Sequence, residues 1–166
     1  YSEKKGNYNV GSFLKAIELY QLLKKHRNEK NVVHFLNGER DIRHLKFFKR
    51  TFPNTRFYAT FHKPPEILKE SISNIAALKQ LDGAIAVGEN QVSFLKDWLQ
   101  MERVTYIPHG VDTAFFKPDA TIKKNKNLLF VGQHLRNFQM LNETIPLLAK
   151  RIPDIQVHVV VHPAYV

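Results

Sequence analysis

Val104-Thr-Tyr-Ile-Pro-His-Gly-Val-Asp112 joins a β-branched run to a turn. Residues 103–107 have the composition of a short strand. Pro108 ends it. His109-Gly110-Val111-Asp112 supplies turn chemistry: the glycine permits a left-handed turn, and the aspartate can hydrogen-bond nearby backbone. An aromatic pair, Phe115-Phe116, then Pro118 and a lysine-rich polar stretch follow. A fresh apolar strand opens at Asn127-Leu-Leu-Phe-Val-Gly132. Strand, turn, polar connector and new strand make the pattern of a crossing between two α/β domains. The reading gives a first domain over 1–116, a linker over 117–126 and the start of a second domain over 127–166.

Working back from the crossing, strands and helices alternate. Ser12 can cap a helix running to about Arg27, with Phe13, Ile17, Tyr20 and Leu23 on one face. Residues 31–36 read as a strand ending at Asn37-Gly38. Residues 40–51 read as a helix with Ile42, Leu45 and Phe48 inward. Arg56 to Phe61 is a second strand, and Pro64-Pro65 suits the first turn of a helix continuing to Leu78. Gly83 to Val87 is wholly apolar, as befits a strand covered on both faces. A helix over 89–101 precedes the strand at 103–107. In the second domain, 127–131 is a strand, about 138–152 a helix and 155–161 another strand. Such alternation builds βαβ units and a mainly parallel sheet, so the expected class is α/β and Rossmann-like, with flanking helices. No strand precedes the first helix, and the second domain stops after one βαβ unit. The expectation is therefore a fragment whose sheet has a gap or an exposed edge.

Composition narrows the classes. The chain has 166 residues, 43% hydrophobic, enough for a core. No apolar run approaches the ~18 residues needed to span a bilayer. The opening Tyr1-Ser-Glu-Lys-Lys-Gly6 is polar, unlike a secretory signal. There is no cysteine, which excludes disulfides and thiolate sites and fits a cytoplasmic protein. The formal charge is +10 and uneven: residues 1–83 carry 16 Lys/Arg against 8 Asp/Glu. A basic half attracts polyanions such as nucleic acid, phosphorylated substrates or anionic headgroups, or serves as a solubilising surface. Its densest clusters are Lys24-Lys-His-Arg27 and Lys46-Phe-Phe-Lys-Arg50.

The string Ile-Pro-His-Gly-Val-Asp…Phe…Pro over 107–118, with Ala59-Thr-Phe-His-Lys-Pro-Pro65, resembles retaining GT-B-fold glycosyltransferases. The family concerned is the large family-4-like group 1 that includes sucrose-phosphate synthase and bacterial mannosyltransferases. The resemblance runs over nearly the whole chain. It implies a GT-B N-terminal, acceptor-side domain followed by a donor-binding domain, with the active site in the cleft the hinge spans. It also implies transfer of a sugar from a nucleotide-sugar donor to a glycan or lipid-linked acceptor, with retention and without a metal.

Candidate site residues follow. His62 ends the strand 56–61, at the carboxyl end where open α/β sheets bind ligands. In the family a histidine here faces the reacting sugar, so His62 is the catalytic candidate. Gly6 and Gly11 bracket a loop before a helix, where backbone can approach donor and acceptor. Gly132-Gln-His-Leu-Arg136 follows the first strand of the second domain. Family members commonly carry Gly-Arg and then a lysine there, holding the donor diphosphate. Here Gln133 and Phe138 stand at those places, which leaves Arg136 as the cation able to pair with phosphate. His109 lies beside the cleft and would reach the ligand only through another residue. The family's paired glutamates would fall beyond this sequence. The histidines show no metal-binding spacing. His158 and His162 on a strand would stand ~13 Å apart.

The expected function is thus a glycosyltransferase fragment, itself inactive. Its partners are a nucleotide-sugar and a glycan or lipid-linked acceptor, with peripheral membrane contact through the basic half. No organic or metal cofactor is expected, and no specific nucleic acid. Two other readings stand beside it: an inert glycosyltransferase-like scaffold, which the altered 132–138 loop would allow, and a basic nucleic-acid-binding module, which charge alone supports.

Overall fold

A computed structural model describes residues 10–72, 75–121, 125–132 and 136–162. The chain divides into two compact units, residues 1–111 and 112–166.

The first unit starts with helix α1 (Val10–Lys25), followed by strand β1 (Asn31–Phe35) and helix α2 (Leu45–Thr51). Strand β2 (Thr55–Phe61) leads to two short helices, α3 (Pro65–Ser71) and α4 (Ile75–Leu78). Strand β3 (Gly83–Ala86), helix α5 (Gln91–Leu99) and strand β4 (Val104–Tyr106) complete it. The four strands form one parallel sheet in the order β1-β2-β3-β4. The fold of this unit is α/β and Rossmann-like. The sheet has no gap among the described residues. Its edges are β1 and β4, and Val32 on β1 and Leu36 just beyond it are largely exposed.

The central strands behave as their composition requires. Phe57, Ala59 and Phe61 of β2 and Ala84 and Ala86 of β3 are buried. Leu45 and Phe48 of α2, Leu68 of α3, Leu78 of α4, and Leu95 and Leu99 of α5 close the core over them. Aromatic rings join the layers: Phe57 stacks on Phe35 at 6.2 Å and lies 6.3 Å from Phe48. Burying side chains of this size stabilises by roughly 1.5–3 kcal/mol each, so this cluster dominates the stability of the unit.

Three helices differ from the sequence reading. Helix α1 runs over Val10–Lys25, so Gly11 lies inside its first turn and not in the loop before it. Helix α2 begins at Leu45 and not near residue 40. The chain from 37 to 44 turns, with the Arg40 and Asp41 amides donating to the Asn37 carbonyl. The single helix read over 64–78 is broken. Ile72 takes an extended conformation after α3, and the chain re-enters helix at Ile75. Pro65 does occupy the first turn of α3.

The second unit contains strands β5 (Asn127–Val131) and β6 (Gln156–Val160), paired in parallel across helix α6 (Phe138–Arg151). This is one βαβ unit. Asn137 caps α6, its side-chain oxygen accepting from the Met140 amide at 2.9 Å. Among the described residues no helix is long and apolar enough to cross a membrane.

Candidate functional site

In a parallel sheet every strand delivers its following loop to the same end. Here four loops meet there: 36–39 after β1, 62–64 after β2, 87–90 after β3 and 107–110 after β4. Open α/β sheets bind ligands at this end, and in this unit His62 sits in the second of the four loops.

The loop carrying His62 is held from three sides. Glu39, from the loop after β1, reaches across to it. Its Oε1 accepts the His62 amide at 2.5 Å and the Lys63 amide at 2.9 Å. The Glu39 side chain is only 2% exposed, and its Oε2 lies 3.7 Å from Nδ1 of His62. Gln91, the first residue of α5, holds the loop from the other side. Its Nε2 donates to the Lys63 carbonyl at 2.6 Å, and its Oε1 accepts the Gly88 amide at 2.8 Å. Gln91 is buried, so these two bonds satisfy a carboxamide that would be costly to bury alone. From the loop after β4, His109 lays its ring on that of His62, with centroids 5.3 Å apart and planes 19° from parallel.

The result is an imidazole on a rigid backbone, half-exposed at 35% of its side-chain surface. Oε2 of Glu39, beside the ring, and Oδ1 of Asn37, in the loop after β1, are buried without a hydrogen-bond partner. Gly38 lies between them in the chain and is tightly enclosed. A Cβ there would come within 3.0 Å of the Ala59 Cβ and the Phe61 ring. Its amide donates to the Thr60 carbonyl at 2.8 Å, holding the loop against β2. Chemically the arrangement offers an imidazole with a carboxylate oxygen beside it, groups able to hydrogen-bond a ligand hydroxyl.

Of the residues that sequence reasoning proposes, His62 stands in this cluster with His109 against it. Gly11 is exposed in helix α1. Gly6 and Gln133 lie outside the described residues. In the second unit, Gly132 has a left-handed φ of 94°, and Arg136 folds back over it. The Arg136 Nε lies 3.7 Å from where a Cβ on Gly132 would be. This guanidinium thus sits at the carboxyl end of β5. Asp112 accepts the Ala114 and Phe115 amides at 2.9 and 3.0 Å, the backbone role its sequence context suggests. Sequence reasoning missed Asn37, Glu39 and Gln91. The first two carried a usable signal, since they follow a strand in the same way as His62.

Outside this cluster, a cavity of about 310 Å³ opens between α1, β1 and α2. Lys15, Arg40, Arg43 and Asp41 line it, together with Leu19, Val33 and Phe48. Lys49, in one of the dense basic clusters, is committed to Asp82 at 2.8 Å. Among the described residues no group of three or more His, Asp or Glu side chains is arranged to hold a metal. Compared with protein-family models and with curated proteins, the chain matches none.

Proposed function

We propose that the protein acts in sugar transfer, as a retaining glycosyltransferase of the GT-B type that uses a nucleotide-sugar donor. The observation that carries this reading is the convergence of the strand-end loops on the segment bearing His62, whose ring meets Glu39 and His109 and whose backbone is pinned by Glu39 and Gln91. Such rigidity suits a group that must hold a sugar in reacting geometry. His62 contacts a sugar hydroxyl beside the anomeric carbon. The first unit supplies the acceptor side and the second the donor side. Arg136, folded over Gly132, stabilises the charge that develops on the leaving diphosphate, so transfer needs electrostatic stabilisation and no metal. The cationic and apolar lining of the cavity near α1 supports an anionic, lipid-linked or glycan acceptor.

The test is binding and turnover with a panel of uridine and guanosine diphosphate hexoses. Saturation-transfer NMR on the chain is expected to report contact with the hexose ring, and shift mapping to place it on the loops after β1 to β4. Where product forms, the anomeric proton coupling reads retention. In the full-length protein, His62→Ala is expected to lower turnover on the order of 10²-fold, the loss seen when one transition-state hydrogen bond is removed. Hexose binding that His62→Ala leaves unchanged refutes the assignment. In the full-length protein, binding without turnover favours an inert scaffold, and salt-sensitive binding to random oligonucleotides with no sugar contact favours a nucleic-acid module.

A further inference from the structure

Glu39 does more than a loop staple requires. Holding the His62 and Lys63 amides takes one acceptor oxygen, which a neutral side chain could supply. A carboxylate is costly to bury, and this one is 2% exposed with its second oxygen outside any hydrogen bond. That oxygen stands 3.7 Å from Nδ1 of His62. The separation is too long for a hydrogen bond but well within electrostatic reach.

A neutral imidazole carries one proton and can place it on either nitrogen. In free histidine it resides mostly on Nε2. A negative oxygen beside Nδ1 reverses that preference, since a proton is attracted to it and a lone pair repelled. The geometry points to Glu39 as the positioning residue for His62: it keeps the imidazole proton on Nδ1 and turns the Nε2 lone pair outward, to accept a hydroxyl proton from the ligand. This rests on His62 being the ligand-contacting group. His109, stacked on the other ring face, limits rotation that would exchange the two nitrogens. The surrounding segments carry other charged or titratable groups: Arg40 after β1, Lys63 and Glu66 after β2, and Glu89 after β3. Glu39 and His109 are in contact with the ring itself.

The experiment is long-range ¹H–¹⁵N NMR of the imidazole nitrogens of His62, on the full chain without ligand. It is run near pH 9, above the ordinary histidine range of about 6.5. The comparison is wild type against Glu39→Gln. The glutamine keeps its carbonyl oxygen on the two backbone amides, because only that atom can accept them. Its amide nitrogen then replaces Oε2 and presents hydrogens to Nδ1. The expected result is a proton on Nδ1 in the wild type and on Nε2 in Glu39→Gln, with backbone shifts outside the loops unchanged. A wild-type His62 protonated on Nε2 overturns the inference, as does the same tautomer in both proteins. If the variant does not fold, the wild-type tautomer alone decides. No sugar enters the measurement, so its failure is distinct from failure of the transferase reading. A loop staple alone would leave the tautomer unmoved.

Discussion

Replacing Asp82 by alanine tests how the amino-terminal end of the sheet is fastened. Asp82 precedes β3 and brackets Phe57 of β2. Its amide donates to the Phe57 carbonyl at 2.8 Å, and its Oδ2 accepts the Phe57 amide at 2.8 Å. The same carboxylate accepts Lys49 at 2.8 Å and Arg56 at 2.9 Å. Asp82 and Lys49 are 8% and 30% exposed, whereas Arg56 is 65% exposed. Hydrogen bonds to a charged group contribute about 1.5–3 kcal/mol when sheltered, and exposed pairs close to nothing. Counting the Phe57 and Lys49 bonds near the low end and discounting Arg56, Asp82→Ala costs about 3 kcal/mol. For a domain of this size that lowers the melting temperature by about 10–20 °C. The effect has a pH signature. Burial pushes the Asp82 carboxyl up, but the bonds from Lys49, the Phe57 amide and Arg56 outweigh it and hold it below its ordinary value. A carboxyl lowered on folding contributes stability above the unfolded value of about 3.9, and that contribution is lost as pH falls through the folded value. Urea melts of both proteins at pH 7 and at steps below pH 4 check this. The gap is expected to be full at neutral pH and to narrow in acid. A gap under about 0.5 kcal/mol at pH 7, or one that does not change with pH, refutes the reasoning.

Two further outcomes bear on the crevice. Gly38→Ala forces a methyl to within 3.0 Å of Ala59 and Phe61, both fully buried. It is expected to cost about 1–3 kcal/mol by overpacking and to move the His62 and Lys63 amide resonances, read by denaturant melts and NMR. Gln91→Leu leaves the Gly88 amide and the Lys63 carbonyl without their partner, at about 1–3 kcal/mol for a sheltered group. Exchange of the His62 and Lys63 amides and of those in 87–90 is expected to accelerate while the β2 core stays protected.

The strands of the first unit were legible because their sequence signal is local. Phe57, Ala59, Phe61 and the apolar 83–86 run carry burial in the strand itself. His62 was legible for the same reason, as the residue leaving a parallel strand. Glu39 occupies the equivalent place after β1, but the apolar spacing over 40–51 reads as helix and makes Glu39 look like a solvated flank. Its inward turn depends on amides 23 and 24 residues away, which no periodicity records. Gln91 is similar: a polar residue in a helix first turn looks exposed until the loop after β2 is packed on it. The break at Ile72 was hidden because Ile67, Leu68, Ile72, Ile75 and Leu78 keep a helical spacing across it. Ile72 and Ile75 pack on the core from either side of the kink. Gly11 shows the reverse case, where a residue that usually punctuates is absorbed into a helix end.

Strand β4 is three residues long and among the described residues lies at the sheet edge, paired with β3 alone, and Tyr106 within it is 44% exposed. Short edge strands of this kind open at far lower free energy than the core. His109 follows β4 by three residues and would be drawn away with it, uncovering one face of the His62 ring. The stacked pair therefore exists only in the fraction of molecules whose edge is closed. A ligand that needs both rings would bind with an apparent affinity reduced by that fraction. Mutations in β4 that never touch the ligand would then weaken binding by loosening this edge, and contacts that lengthen the β3–β4 ladder would tighten it.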